Sequence, residues 1–109
     1  MTQLPATMTA MAITEPGGPD VLKPVSRAVP VLGAGEILIK VAAAGVNRPD
    51  VSQRQGKYPP PPGASDLPGL EVAGAVVGRG EGAERFSLGD QVCALVHGGG
   101  YAEYVSVHE

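Results

Sequence analysis

Glycine and proline divide this chain into short apolar runs. The 109 residues include 16 Gly and 11 Pro, which are spread between the apolar runs and do not form a low-complexity block. Glycine permits turns with positive φ, whereas proline is excluded from helix interiors and central strands. Many short strands joined by turns fit this punctuation. Amphipathic helices of 10–15 residues do not alternate with the strands, so a βαβ nucleotide-binding unit is not predicted.

The clearest strand is residues 36–44, where Ile37, Ile39 and Val41 share one face by the period of two. Gly74 lies inside another strand pattern, which indicates a bulge or a close backbone approach. The remaining predicted strands are residues 8–14, 21–29, 71–77, 91–96 and 101–107. We therefore predict a mainly β fold, a partly open barrel with one or two short helices.

The length of the chain predicts one domain over residues 8–109, preceded by a loose, patternless extension over residues 1–7. The net charge is −3 and lysine and arginine do not cluster, so nucleic-acid binding is not expected. One cysteine excludes an intrachain disulfide framework. No apolar run reaches the length of a membrane span, and no charged signal start precedes the first strand. We expect a soluble, cytoplasmic protein with no membrane partner.

The connection between two strands, residues 45–74, collects most of the unusual side chains. Pro49 fits the first turn of a short helix over residues 49–55, which Gly56 would end. Prolines 59–62 should be extended and should hold Tyr58 at a defined place. Binding and catalytic groups concentrate on loops of this kind, although an ordinary polar surface loop is an equal alternative. The polar and aromatic candidates on it are Asn47, Arg48, Asp50, Gln53, Arg54 and Tyr58.

Five motifs occur in a characteristic order: EPGGPDVL, GEILIKVAAAGVNRPD, QGKYPPPPG, PGLEVAGAVVGRGEGAERFSLGDQV and GGGYAEYV. Their order and spacing resemble the N-terminal, GroES-like catalytic domain of the medium-chain dehydrogenase/reductase superfamily. The resemblance covers residues 8–108. It is strongest to the zinc-independent NAD(P)H:quinone oxidoreductases of the p53-inducible type.

The resemblance implies hydride transfer from NADPH to a quinone or an activated alkene. In that family the cofactor lies between this domain and a Rossmann domain, which these residues do not encode. The glycines at 78, 80 and 82 and at 98–100 do not open a helix, so we interpret both groups as turns. The chain is therefore expected to be a fragment of a longer enzyme, inactive by itself.

Zinc is not expected as a cofactor. Where zinc-dependent relatives have cysteine this chain has Asn47, and where they have histidine it has Leu70; neither can replace a zinc ligand. Their structural zinc uses four cysteines, and this chain has only Cys93. We interpret Cys93 as a small buried apolar residue of its strand.

Tyr58 is the main catalytic candidate. Its phenol could donate a hydrogen bond to a carbonyl oxygen that gains charge as hydride arrives, and it would be protonated at neutral pH. The resemblance places it against the nicotinamide and the substrate. The alternative is a surface tyrosine that only packs on the prolines.

The other candidates have structural alternatives. Asn47 lines the cofactor and substrate cleft by resemblance, or caps a turn. Arg48 could pair with a cofactor phosphate, or face solvent. Asp50 is interpreted as structural, starting the helix or closing the loop. Ser52 stands where some relatives have a second tyrosine, which would open the substrate pocket. His97, beside the triple glycine, is a substrate-binding candidate or an exposed loop histidine.

The leading functional hypothesis is the substrate-side catalytic domain of an NADPH-dependent oxidoreductase, with a small quinone or enone as substrate. Quinone reduction is favoured over enoyl reduction, which needs the same geometry. The alternative from another class is a non-enzymatic GroES-like binding or co-chaperone module. The resemblance also implies that the full-length enzyme is a homo-oligomer.

Overall fold

The computed structural model describes residues 4–109, which contain six strands and one α-helix. The strands are β1 (Thr7–Ile13), β2 (Leu22–Ala28), β3 (Glu36–Ala44), β4 (Glu71–Arg79), β5 (Gln91–Leu95) and β6 (Tyr104–His108). The helix is α1 (Arg48–Arg54), and a single 3₁₀ turn lies at Pro19–Val21. Neither helical segment in these residues is long and apolar enough to cross a membrane.

The strands form two antiparallel sheets that together make a partly open barrel. One sheet pairs β1 with β2, and the other has the order β5-β4-β3-β6. An isolated bridge between Ala10 and Ala102 joins them, flanked by a 2.8 Å hydrogen bond from the Met11 N–H to the Tyr101 carbonyl. The predicted mainly β, partly open barrel is confirmed.

The central strand β3 is covered on both faces over its first half. Ile37 and Ile39 belong to one apolar cluster, which also includes Val41 at its edge, as the period of two predicts. Leu38 points to the opposite face and packs in a second cluster with Met8 and Tyr104. Burying each large aliphatic side chain contributes about 1.5–3 kcal/mol. This doubly covered strand anchors the loop that follows it.

The in-strand glycine of β4 confirms the predicted close approach. A Cβ at Gly74 would collide with the Lys40 carbonyl oxygen of β3. The β3–β4 register also shifts between Val41 and Ala43, so the bulge next to Gly74 lies in β3 and not in the strand of the glycine itself. Because Gly74 has no side chain, the backbones of β3 and β4 can approach each other closely where the register changes.

Several boundaries differ from the sequence-based expectations. Thr7 already pairs with Ala28, and the Val29 N–H donates to the Ala6 carbonyl at 3.1 Å. Thr7 is thus a strand residue, and the predicted loose extension over residues 1–7 reaches too far along the chain. Residues 1–3 of that extension lie outside the described residues. β4 continues through Arg79, so Gly78 is a strand residue and not a turn. β6 begins only at Tyr104, because the preceding residues hydrogen-bond to β1.

The interpretation of Cys93 as a buried residue is wrong. Cys93 is exposed on β5, whereas its neighbours Val92 and Ala94 pack against the core cluster. Side chains alternate along a strand, and the core lies on only one face of β5. The sequence shows that these residues alternate but not which face the barrel covers.

Candidate functional site

Helix α1 begins close to the start of the connection formed by residues 45–74, which carries most of the site candidates. Asn47 is the N-cap, with an extended φ of −125°, and Pro49 lies in the first turn. The Asp50 carboxylate accepts a 3.0 Å hydrogen bond from the Asn47 N–H, and Gly56 follows the helix with a φ of +81°. These contacts confirm the predicted short helix, shifted by one residue, and the structural role of Asp50 at its start.

Asp50 also ties α1 to Tyr101, which directly follows the glycine loop of residues 98–100. Its side chain is only 5% exposed, and its Oδ2 accepts a 2.8 Å hydrogen bond from the Tyr101 hydroxyl. Oδ1 of the same carboxylate has no partner within residues 4–109. Burial, together with the bond to Asp50, raises the pKa of Tyr101 above its usual value. The sequence reasoning missed this pair, since 51 residues separate its members.

The Asn47 carboxamide is held by β4. Its Nδ2 donates to Glu71 Oε1 at 3.2 Å. A Cβ at Gly45 would overlap the same carboxylate oxygen, so the glycine before the loop makes room for this contact. With its Nδ2 used in this way, the amide retains its Oδ1 as an acceptor.

Two glycine-containing segments, residues 65–70 and residues 97–101, are hydrogen-bonded to each other. The Gly99 N–H donates to the Leu67 carbonyl at 2.9 Å, and the Tyr101 N–H donates to the Pro68 carbonyl at 3.0 Å. Gly69 has a φ of +105°, and a Cβ there would meet the Tyr101 backbone nitrogen at 2.6 Å. This contact leaves no space for a side chain at Gly69 and brings the loop that carries His97 against residues 65–70.

A pocket of about 310 Å³ opens between these loops. Its volume is at the lower end of the range for small-molecule sites. Tyr58, which is 41% exposed, and His97 share this pocket although 39 positions separate them in the chain. The lining residues are Gln53, Tyr58, Pro60, Pro61, Leu70, Leu95, Val96 and His97.

The remaining candidates do not line this pocket. Asn47 faces Glu71, and Ser52 is half-buried, its carbonyl accepting the Lys57 N–H at 2.8 Å. Arg48 is exposed and has no carboxylate partner within residues 4–109. Conversely, Leu70 lines the pocket although it was not a binding candidate, and Gln53 lines it although it was only named among the candidates of its loop, with no assigned role. The sequence does not show that the two share a pocket, because the pocket wall is assembled from three separate segments.

An ion pair fixes the loop behind the pocket. Arg27 on β2 donates two hydrogen bonds to the Asp66 carboxylate, at 2.9 and 3.0 Å, and this lowers the pKa of Asp66. The Gln53 Nε2 donates to the Asp66 carbonyl at 3.1 Å. Both partners of the ion pair are partly exposed, so the pair contributes at most about 1 kcal/mol to stability. The pair joins β2 to the loop after the prolines.

Metal-ligating side chains do not converge in the part of the chain that the structure describes. No group of three or more His, Cys, Asp and Glu residues is close enough there to hold a metal ion. The pocket itself offers the polar side chains of Tyr58, His97 and Gln53 for hydrogen bonding, together with apolar walls.

Known proteins are similar to this chain in sequence and in architecture. A quinone oxidoreductase of Lama guanicoe is 44% identical over 99 residues, which cover 89% of this chain and 30% of the relative. The structure of the human synaptic vesicle membrane protein VAT-1 homolog-like protein has a TM-score of 0.85 and 33% identity, covering 94% of this chain and 33% of that one. A mycobacterial protein solved with NADPH has a TM-score of 0.76 and 40% identity, covering 93% and 30%.

These proteins are longer than the chain. It spans about 30% of the length of the curated quinone oxidoreductases that it matches. The sequence model of the alcohol dehydrogenase GroES-like domain matches residues 33–109, which include α1, the pocket and four of the six strands. The chain belongs to the family of alcohol dehydrogenase GroES-like domains.

Proposed function

We propose that this chain is the substrate-side domain of a zinc-independent, NADPH-dependent oxidoreductase that reduces quinones. The observation that carries the proposal is the shared pocket of Tyr58 and His97, whose other walls are mainly apolar. Prolines and aliphatic side chains suit the faces of a flat ring, and the two polar side chains can reach a carbonyl oxygen at its edge. The similarity to quinone oxidoreductases supports this substrate class.

Tyr58 is the proposed donor to the reacting carbonyl. Negative charge builds on that oxygen as hydride arrives at the ring, and a donor already in place stabilises the transition state more than the ground state. Pro60 and Pro61 line the pocket beside Tyr58 and limit its movement. His97, on the opposite segment, would supply the second donor.

NADPH fits these residues only in part. The pocket of about 310 Å³ has room for a substrate but not for a dinucleotide as well. The Asn47 Oδ1 could accept from the nicotinamide carboxamide, and the exposed Arg48 could contact a phosphate. When bound, NADPH supplies the hydride; most of its contacts would have to come from outside residues 4–109.

The proposed enzyme works without zinc. The Asn47 amide already donates to Glu71, and Leu70 presents only an alkyl group to the pocket. Neither side chain is a zinc ligand. We expect elemental analysis of the full-length protein, after washing with a chelator, to give far less than one zinc per chain. Stoichiometric zinc would contradict the proposal.

A substrate screen tests the activity. The full-length enzyme is incubated with NADPH or NADH and a panel of quinones and enones, while loss of the reduced cofactor is followed by absorbance. Quinone turnover with NADPH is expected. Turnover of enones alone would favour an enoyl reductase, and no turnover with any acceptor would favour a non-enzymatic GroES-like binding module.

A further inference from the structure

Gln53 contributes a polar group to the pocket that the proposed reaction does not use. It is the sixth residue of α1, it is half-buried, and it lines the pocket with Tyr58 and His97. Its Nε2 donates to the Asp66 carbonyl at 3.1 Å. The Oε1 has no hydrogen-bond partner among residues 4–109.

The orientation of this amide is fixed by its surroundings. A flipped amide would place Oε1 against the Asp66 carbonyl oxygen, and two acceptors repel each other. The Asp66 carbonyl is held in place by its neighbour Leu67, whose N–H donates to Ser65 Oγ at 3.1 Å and whose carbonyl accepts from the Gly99 N–H at 2.9 Å. Oε1 is therefore the group that Gln53 offers to a ligand.

The polar side chains of the pocket thus differ in the hydrogen bonds that they offer to a ligand. Tyr58 and His97 can each donate to a ligand oxygen, whereas the free atom of Gln53 can only accept. The remaining lining is apolar: Pro60, Pro61, Leu70, Leu95 and Val96. A quinone that satisfies all three polar groups carries, besides its carbonyl oxygen, a hydroxyl or N–H donor for the Gln53 Oε1. The volume of about 310 Å³ limits it to one or two rings.

We propose that Gln53 determines specificity, and that the pocket prefers small quinones that also carry a neutral hydroxyl donor. This inference rests on the proposed function and narrows its substrate class. A quinone without a donor would bury the Gln53 Oε1 against its ring with no partner, and such an unpaired acceptor is penalised. A quinone that carries a hydroxyl group can donate to the Gln53 Oε1, in place of the water molecule that this atom loses on binding.

The test compares two substrates of similar size in the full-length enzyme with NADPH. Hydroxymethyl-p-benzoquinone has the donor, and methoxymethyl-p-benzoquinone has the same oxygen without it. We expect kcat/KM to be about fivefold higher for the hydroxymethyl compound, the effect of one neutral hydrogen bond. In Gln53→Met, which keeps the length of the side chain, the ratio should fall to about one. Arg27→Met is the matched control: it loosens the same loop but keeps the acceptor, so the ratio should persist.

The outcomes separate the two proposals. Turnover with a ratio near one in the unsubstituted enzyme, or an unchanged ratio in Gln53→Met, overturns the role of Gln53 and leaves quinone reduction intact. No turnover of either compound contradicts the proposed function. In that case ¹⁵N NMR of the Gln53 side-chain amide decides the inference. Signals that shift with the hydroxymethyl compound alone support it, whereas equal or absent shifts with both compounds overturn it.

Discussion

Tyr58 combines an aromatic ring beside prolines with a hydroxyl at the pocket. Tyr58→Phe removes only the hydroxyl and keeps the packing. We expect it to lower kcat for quinone reduction in the full-length enzyme without unfolding it. Loss of one preorganised donor costs roughly 10²–10³-fold, and less for an acceptor as reactive as a quinone. Steady-state kinetics with NADPH and a quinone measure the change.

Comparison with Tyr58→Ala separates hydrogen bonding from stacking. If the ring only stacks on the substrate, the Phe variant keeps its activity and the Ala variant loses it. Full kcat in both variants would remove Tyr58 from the site. Circular dichroism of both variants checks that the barrel is intact.

Tyr101 makes the stability of the fold depend on pH. Its pKa is raised in the folded protein by burial and by the hydrogen bond to Asp50. The neutral phenol therefore stabilises the fold below about pH 10, the ordinary pKa of tyrosine, and this contribution is lost as the pH rises above that value. We expect the free energy of unfolding, from urea titrations between neutral pH and pH ~11, to fall over this range.

Tyr101→Phe should reduce that dependence. At neutral pH the variant is expected to be less stable by about 1–3 kcal/mol, because the buried Asp50 side chain loses the hydroxyl that donates to its Oδ2. Above pH ~10 its stability should fall less steeply than that of the unsubstituted chain. Tyr58→Phe, which removes a phenol that has no bond to Asp50, serves as the control. A parallel loss of stability in all three proteins would show that Tyr101 does not couple to pH.

At the scale of elements, the pairing of β3 with β4 depends on the absence of a side chain at Gly74. A Cβ at Gly74 would meet the Lys40 carbonyl oxygen, which is backbone and cannot rotate away. Gly74→Ala should therefore force the strands apart and destabilise the fold by about 1–3 kcal/mol. The urea midpoint at neutral pH measures the effect.

Gly18→Ala is the matched control for this substitution. Nothing lies within 4 Å of a Cβ at Gly18, and its φ of −78° suits an L-amino acid. We expect this variant to be as stable as the unsubstituted chain or slightly more stable. Equal midpoints for the two alanine variants would show that β3 and β4 can separate at no cost.

At the scale of the whole molecule, the 109-residue chain should not bind NADPH measurably. The pyrophosphate of a dinucleotide is normally held at a helix N-terminus after a glycine-rich turn. Within residues 4–109 the one α-helix has seven residues and lies between antiparallel strands. Isothermal titration of the chain with NADPH should show no binding, and a micromolar dissociation constant would refute the expectation.

The sequence by itself determined the elements and their order. Period-two patterning located β3 within 36–44 as observed, and the glycine and proline signals located α1 and the close backbone approach at Gly74. The signals for these features are local, because the residue pattern of a short stretch of chain carries each of them. The ordered motifs were also sufficient to place the chain in its family.

Only the tertiary structure decided which residues meet. The pocket joins Gln53 and Tyr58 to His97, and the Asp50–Tyr101 bond spans 51 positions. Whether Cys93 faced the core depended on which side of β5 the barrel covers. No local pattern encodes such contacts, because they depend on how the strands pair and how the loops then cross. The sequence supplied the candidates, and the pairing of distant strands selected those that share a pocket.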